Sequence, residues 1–206
     1  MGDLASAGHT WMLSRVDLRI AGLPKEGARV KVRTWPSGHE RLFALRDVVL
    51  EDSGGSPLVS AVYAYIIVDV AARKPLRPEH ALSPEFLGAQ GAHSVADFRL
   101  GTSPLAEAEP VYELTARPRH IDENGHVNNG HIMDWLVDAA SGRLSRLPSG
   151  LRIDFIQEVL KGDRLEAVAG KPSKPYASSP EAAPLEMALS TELRRDGAAV
   201  ARAEFF

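Results

Sequence analysis

Residues 111–144 read VYELTARPRHIDENGHVNNGHIMDWLVDAASGRL: a strand-like run, a polar turn and a helix-like run in immediate succession. In the first part Tyr112, Leu114 and Ala116 fall on one face of an extended chain, because side chains alternate with period two. In the last part Ile132, Trp135, Leu136 and Ala139 form one helical stripe, which Met133, Val137, Ala140 and Leu144 widen. Mainly Asp134, Asp138 and Ser141 are left for water, so the pattern predicts a helix buried on most sides. An antiparallel sheet wrapped around that helix is the simplest cover for it, which makes the fold class α+β.

The flanking sequence supplies the strands. Downstream, residues 151–159, 164–170, 185–193 and 198–206 read as four more. Upstream, Val16, Leu18 and Ile20 alternate with Asp17 and Arg19, and Val30, Val32 and Thr34 alternate with Lys31, Arg33 and Trp35. Residues 41–51 continue after a turn expected at Trp35-Pro36-Ser37-Gly38, and residues 58–70 form a long apolar strand reached through Gly54-Gly55. Between Ala71 and Pro110 the periodicity fades while prolines and glycines accumulate, and so long an irregular stretch suits a link between two units. The expected organisation is an N-terminal unit over 1–75, a connector over 76–109 with at most a short helix, and a C-terminal unit over 110–206.

The 206 residues, 44% hydrophobic and 25% charged, have the make-up of a globular protein. No apolar run approaches the roughly 20 residues of a membrane span, and residues 1–10 lack the parts of a secretory signal, so a soluble cytoplasmic protein is expected. The absence of cysteine suits a reducing compartment and removes disulfides, thiolate metal sites and thiol nucleophiles together. A net charge of −3 argues against nucleic-acid binding, which needs a basic face. Residues 1–80 carry 11 Lys and Arg against 9 Asp and Glu, and the rest carry 13 against 18, so an anionic partner would prefer the first half.

The polar turn, His120 to Gly130, precedes a helix start, where free N–H groups and a partial positive charge can hold a developing oxyanion. Asn128 or Asn129 capping the helix within an ordinary turn is one reading of it. Calcium binding fits poorly: Asp122-x-Asn124 opens like an EF-hand loop, but Gly125 comes too early and no acid stands at the twelfth position. A zinc site from His120, His126 and His131 is conceivable, although the spacing matches no familiar pattern. No metal or other cofactor is expected.

Asp122-x-Asn124-x-His126-Val127-Asn128-Asn129, followed by a helix bearing Trp135, resembles the catalytic stretch of plant and bacterial acyl-acyl-carrier-protein thioesterases. Trp11-Met12-Leu13-Ser14-Arg15, Thr34-Trp35-Pro36-Ser37-Gly38 and Arg46-Asp47 resemble the first-half strands of that family, in the same order. The resemblance implies two hotdog folds in tandem with the active site in the second. It also implies that the first lacks its N-terminal strand and helix, since only residues 2–10 precede Trp11. It places the catalytic residues on Asp122, Asn124, His126 and Glu158. Plant members often carry cysteine where Val159 stands here, so a thiol nucleophile is excluded and water is the expected attacker.

On this reading His126 or Glu158 is the general base, Asp122 orients the imidazole or the water, and backbone N–H groups with Asn124 polarise the carbonyl. Strict alternation sets Glu158 on a solvated face with Arg152 and Asp154 unless a bulge intervenes. His9, His39, His80 and His93 read as surface residues. Asn128, Asn129, Met133 and Trp135 are the candidates for binding the acyl substrate in an apolar slot. The partner is an acyl carrier protein; because it is acidic, Arg15, Arg19, Arg29, Arg33, Arg41 and Arg46 are candidate contacts. The expected activity is hydrolysis of fatty acyl-carrier-protein thioesters in fatty-acid biosynthesis. An acyl-coenzyme A thioesterase and a non-catalytic acyl or carrier-protein binding module are the alternatives. An apolar sheet face left uncovered would favour a homo-oligomer.

Overall fold

The computed structural model describes residues 4–87, 93–96, 98, 101–173 and 189–206. Its contacts divide the chain into two compact units, residues 1–100 and 101–206. No helix among the described residues is long and apolar enough to cross a membrane.

In the first unit, β1 (His9–Ile20), β2 (Lys31–Glu40), β3 (Phe43–Glu51) and β4 (Pro57–Asp69) form an antiparallel sheet in the order β2-β3-β4-β1, and β5 (Lys74–Leu76) adds to the end of β4. The expected turn at Trp35–Gly38 is instead a bulge inside β2, with the register shifting between Pro36 and Gly38. Pro36 has no N–H to give the ladder and Gly38 takes a φ of 109°, so the strand kinks and continues. The reversal follows at Arg41, whose φ is 55°. Among the described residues of this unit the α-helices are two single turns, α1 (Pro78–Ala81) and α2 (Pro84–Leu87), where at most one short helix is expected.

Residues 93–95 and 98 of the expected connector pack on this sheet. Val95 joins the buried cluster of Leu45, Val62 and Ala64, with Phe43 and Phe98 against it. Asp47, on β3 and 0% exposed, accepts hydrogen bonds from the Ser94 N–H and from His93, whose Nδ1 is 3.0 Å from Oδ2. Burial raises the Asp47 pKa, but the Ser37 hydroxyl beside it and the donors of Ser94 and His93 outweigh that and hold it below the ordinary carboxylate value. His93 is therefore a tie rather than a surface residue, its ring 4.4 Å from that of Phe98.

In the second unit, β6 (Leu105–Thr115), β7 (Gly150–Phe155), β8 (Arg164–Pro172), β9 (Leu189–Arg195) and β10 (Ala198–Phe205) form an antiparallel sheet in the order β7-β10-β9-β8-β6. The residues 185–188 expected in β9 lie outside the described set. Pro110 does not end the connector but sits within β6, where an edge strand tolerates its missing N–H. Helix α3 (Asn129–Ala140) packs on β8, β9 and β10 through Ile132, Leu136, Ala139 and Ala140. Thr191 Oγ1 donates to the Leu136 carbonyl at 3.0 Å, and its register neighbours Ala169 and Ala203, with Ala167 and Ala201 beside Leu193, offer the helix a surface of small side chains. The helix is buried along one stripe rather than on most sides: Val137 is exposed, and Leu144 lies beyond the helix end.

The opposite face of this sheet corrects a second expectation. Arg152 (3% exposed), Asp154, Glu192 and Glu204 (4% exposed) are buried rather than solvated. Charges so placed must be paired or hydrogen-bonded. Glu192 lies 2.6 Å from Arg202 and 2.7 Å from Arg194, and Glu204 lies 3.6 Å from Arg152. The segment entering β6 supplies further donors: Thr102 N–H and Oγ1 to Asp154 at 2.9 and 3.0 Å, Ser103 N–H to Glu204 at 2.5 Å, and Leu105 N–H to Glu192 at 3.4 Å. Burial raises the Glu192 pKa, but the bonds from Arg202 and Arg194 pull it below the usual range, whereas burial pushes Glu204 up.

Two substitutions test this packing. A Cβ at Gly170 would stand 1.7 Å from the Glu107 carbonyl oxygen, so Gly170→Ala should lower the urea-derived unfolding free energy by about 2 kcal/mol or more. Asp47→Asn should cost about 1–3 kcal/mol at neutral pH. The depressed native pKa of Asp47 makes its contribution full above the unfolded pKa and lost as pH falls through the native one, so the acid limb of the stability curve should flatten in the variant.

Candidate active site

Between β6 and α3 the chain makes a short 3₁₀ turn, Pro118–His120, and then folds back on itself. Asp122 N–H donates to the His126 carbonyl at 2.8 Å, Gly125 N–H to the Asp122 carbonyl at 3.1 Å, and Asn128 N–H to the His120 carbonyl at 2.8 Å. The Asp122 carboxylate accepts the Asn124 N–H at 2.9 Å, an Asx turn that Gly125 completes at a φ of 82°. Asn128 is the N-cap of α3: its Oδ1 accepts the Gly130 N–H at 2.8 Å, and its carbonyl takes the N–H groups of His131 and Ile132.

The loop is held against a segment that leaves the sheet after β7. Ile156 and Gln157 both donate to the Val200 carbonyl, at 2.9 and 3.0 Å, and opposite them the β9–β10 pairing shifts register between Ala199 and Ala201. Two residues thus oppose one acceptor, the mark of a bulge, and strict alternation stops before Glu158. Val127 N–H then donates to the Val159 carbonyl at 2.8 Å, and His126 bridges to Leu160. The result sets His126 Nε2 3.4 Å from Glu158 Oε2, with the two side chains 38% and 45% exposed.

The expected site residues therefore separate by role. His126 and Glu158 meet. Asp122 shapes the turn, and among the described residues no hydrogen bond joins its carboxylate to the imidazole. Asn124 is exposed, and its side-chain amide has no partner among the described residues. Met133 and Trp135 are half-buried, and Trp135 faces a ring cluster, with His120 edge-on at 5.0 Å and His131 at 6.2 Å. His120 accepts the Arg117 N–H at Nδ1, and Arg119 Nε stands 3.1 Å from its Nε2, which leaves no room for a doubly protonated ring. Burial, then Arg119, His131 and Arg117, push its pKa down. No three His, Asp or Glu side chains among the described residues converge as a metal site requires.

Arg195, at the end of β9, carries no signal in the sequence yet braces the segment after β7, donating to the Glu158 carbonyl at 3.1 Å and to Gln157 Oε1 at 3.0 Å. Tyr112 ties β6 to the helix by donating to the Trp135 carbonyl at 2.5 Å, and burial, with Asp138 nearby, pushes its pKa up to about 12. In the first unit an apolar cavity of about 190 Å³ is lined by Trp11, Ala44, Leu45, Arg46, Tyr65 and Phe86.

Comparison with known proteins agrees with this architecture. Residues 2–86 match the acyl-ACP thioesterase N-terminal domain and residues 105–204 the acyl-ACP thioesterase C-terminal domain. The chain belongs to the acyl-ACP thioesterase family. The chloroplastic acyl-acyl-carrier-protein hydrolase FATB2 of Cuphea viscosissima is 23% identical over 135 residues, 63% of this chain and 33% of that protein. FATB3 of the same plant is 24% identical over 174 residues, 80% of this chain and 42% of that protein. The chain thus spans about a third of the length of the first of these relatives. Among solved structures, the acyl-ACP thioesterase of Bacteroides thetaiotaomicron superposes with a TM-score of 0.75 at 22% identity, covering 98% of this chain and 78% of that one. The 12:0-ACP thioesterase of Umbellularia californica gives 0.72 at 17% identity, with 98% and 76% covered. The fold is the α+β hotdog, in tandem.

Asn128 is a cap by geometry, which fixes what its loss should do. Asn128→Ala is expected to lower stability by about 1 kcal/mol, and Asn128→Asp to retain most of it, as read by chemical denaturation.

Proposed function

We propose that this chain hydrolyses fatty acyl thioesters carried on acyl carrier protein, releasing the fatty acid and the carrier, with water as the nucleophile. The observation that carries the reading is the His126–Glu158 pair, held on the loop at the amino end of α3. Such pairs are looser without substrate and tighten around it. His126 takes a proton from water as the water oxygen attacks the thioester carbonyl carbon, and Glu158 stabilises the imidazolium. The cap already engages the N–H groups of residues 130–132, so the Asn124 amide and the Asn129 N–H are the donors assigned to the oxyanion. Collapse of the tetrahedral species breaks the C–S bond, and the imidazolium returns its proton to the departing thiolate. The hydrolase names of the relatives support this chemistry. We place the protein in the cytosol, in keeping with a cysteine-free chain.

The test is steady-state hydrolysis over a series of acyl chain lengths. His126→Ala and Glu158→Gln should each lower kcat by about 10²-fold or more, and the double variant should be little worse than the poorer single one, because the two act as a unit. Asp122→Asn, which keeps an acceptor for the turn, separates the charge of Asp122 from its shape. Full activity in both single variants would remove the site assignment, and a strong preference for acyl-coenzyme A over the same acyl group on carrier protein would overturn the substrate.

A further inference from the structure

The first-half arginines expected to meet the carrier are largely occupied: Arg19 pairs with Asp17, Arg33 with Glu51, Arg46 donates to Thr34, and Arg15 lies over the Phe43 ring at 4.8 Å. The second unit behaves differently. Its half of the chain is net negative, yet three of its carboxylates, Asp154, Glu192 and Glu204, are buried against the face opposite α3 and bound there. At the end that carries the catalytic loop the balance reverses. Ala116 N–H donates to the Asp163 carbonyl at 2.9 Å and Gly162 N–H to the Ala116 carbonyl at 2.8 Å, which sets the turn at 160–163 beside residues 116–117. The same turn bridges to His126 through Leu160. Arg117, Arg119, Lys161 and Arg164 are thereby gathered around the loop, all exposed and none with a carboxylate partner among the described residues. Of the nearby anions, Asp163 is engaged with Arg195, Glu158 with His126 and Asp122 with the Asn124 N–H, while Glu123 is exposed, and Glu113 and Glu166 face each other in the ladder two positions from Arg164.

We propose that Arg117, Arg119, Lys161 and Arg164 form a cationic docking edge for the acidic surface of the carrier protein, beside the catalytic loop of the second unit. This rests on the thioesterase reading, because the partner is chosen as the protein that delivers the thioester to His126. Charge complementarity carries the choice: an acidic surface seated on cations that have no carboxylate partner among the described residues gains attraction, steered association and register for its arm.

The test is fluorescence anisotropy with a carrier protein whose acyl chain is joined to its arm by an amide, which cannot be hydrolysed. Charge reversal in the triple variant Arg117→Glu, Lys161→Glu and Arg164→Glu should raise Kd at least about tenfold at low salt, with the gap closing at high salt and the melting temperature kept. Should the reversal unfold the chain, the corresponding triple Gln variant is expected to weaken binding by about threefold or more. Equal binding by wild type and variant overturns the docking edge whatever the rate of hydrolysis. A loss of equal size for an acyl-coenzyme A amide, which has phosphates but no acidic protein surface, overturns the assignment to the carrier. Wild type that binds the carrier in this salt-dependent way but hydrolyses no thioester leaves the edge standing and removes the thioesterase reading instead.

Discussion

The candidate site depends on one short stretch of backbone pairing outside the strands. Val127 donates to Val159, His126 bridges to Leu160, and the loop from His120 to Asn128 closes on itself through Asp122 and Asn128. Nothing else among the described contacts brings the imidazole to the carboxylate. The pairing in turn requires the chain after β7 to leave the sheet, which it does where Ile156 and Gln157 share the Val200 carbonyl. A pair of side chains built on such a join is set by hydrogen bonds between backbones, so side chains around it can vary while the geometry persists.

Rigidity for that join comes from both faces of the second sheet. On one, alanines at 167, 169, 201 and 203 let α3 lie close, with Leu136 filling the space between and Tyr112 fastening the helix to β6. On the other, a layer of buried charge is held by arginines and by the N–H groups of residues 102, 103 and 105. Removing one member of such a layer leaves the rest uncompensated, so its value lies in fixing one arrangement rather than in net stabilisation. In the first unit Asp47 does similar work alone, binding residues 93 and 94 to the sheet.

Much of this was legible in the sequence. Period-two alternation gave the strand around Val16–Ile20 and the existence of β2, although Val30 precedes that strand and Val32 is exposed rather than inward; period 3.6 gave the helix, and motifs in the family's order gave the tandem fold. What escaped shares a physical cause: alternation reports which face a residue occupies, not what covers that face. Arg152 and Asp154 alternate like solvated residues because the segment that buries them comes from residues some fifty positions earlier. Pro36 and Gly38 look like a turn because a bulge uses the same residues. Glu158 shared the parity of Arg152 and Asp154, and only the doubled acceptor at Val200, invisible in the sequence, releases it to face His126. His93 resembled a loop histidine since its partner Asp47 lies on a strand far away along the chain.

The central claim is that water bonded to the His126–Glu158 pair attacks the thioester directly, with neither carboxylate of the loop region acting as nucleophile. Single turnover in ¹⁸O-labelled water, with enzyme in excess over substrate, tests it most directly. Direct attack places one labelled oxygen in the fatty acid and none in the protein. Unlabelled fatty acid from that first turnover, with the label recovered in the peptide carrying Glu158 or Asp122, would mean an acyl-carboxylate intermediate and would contradict the account.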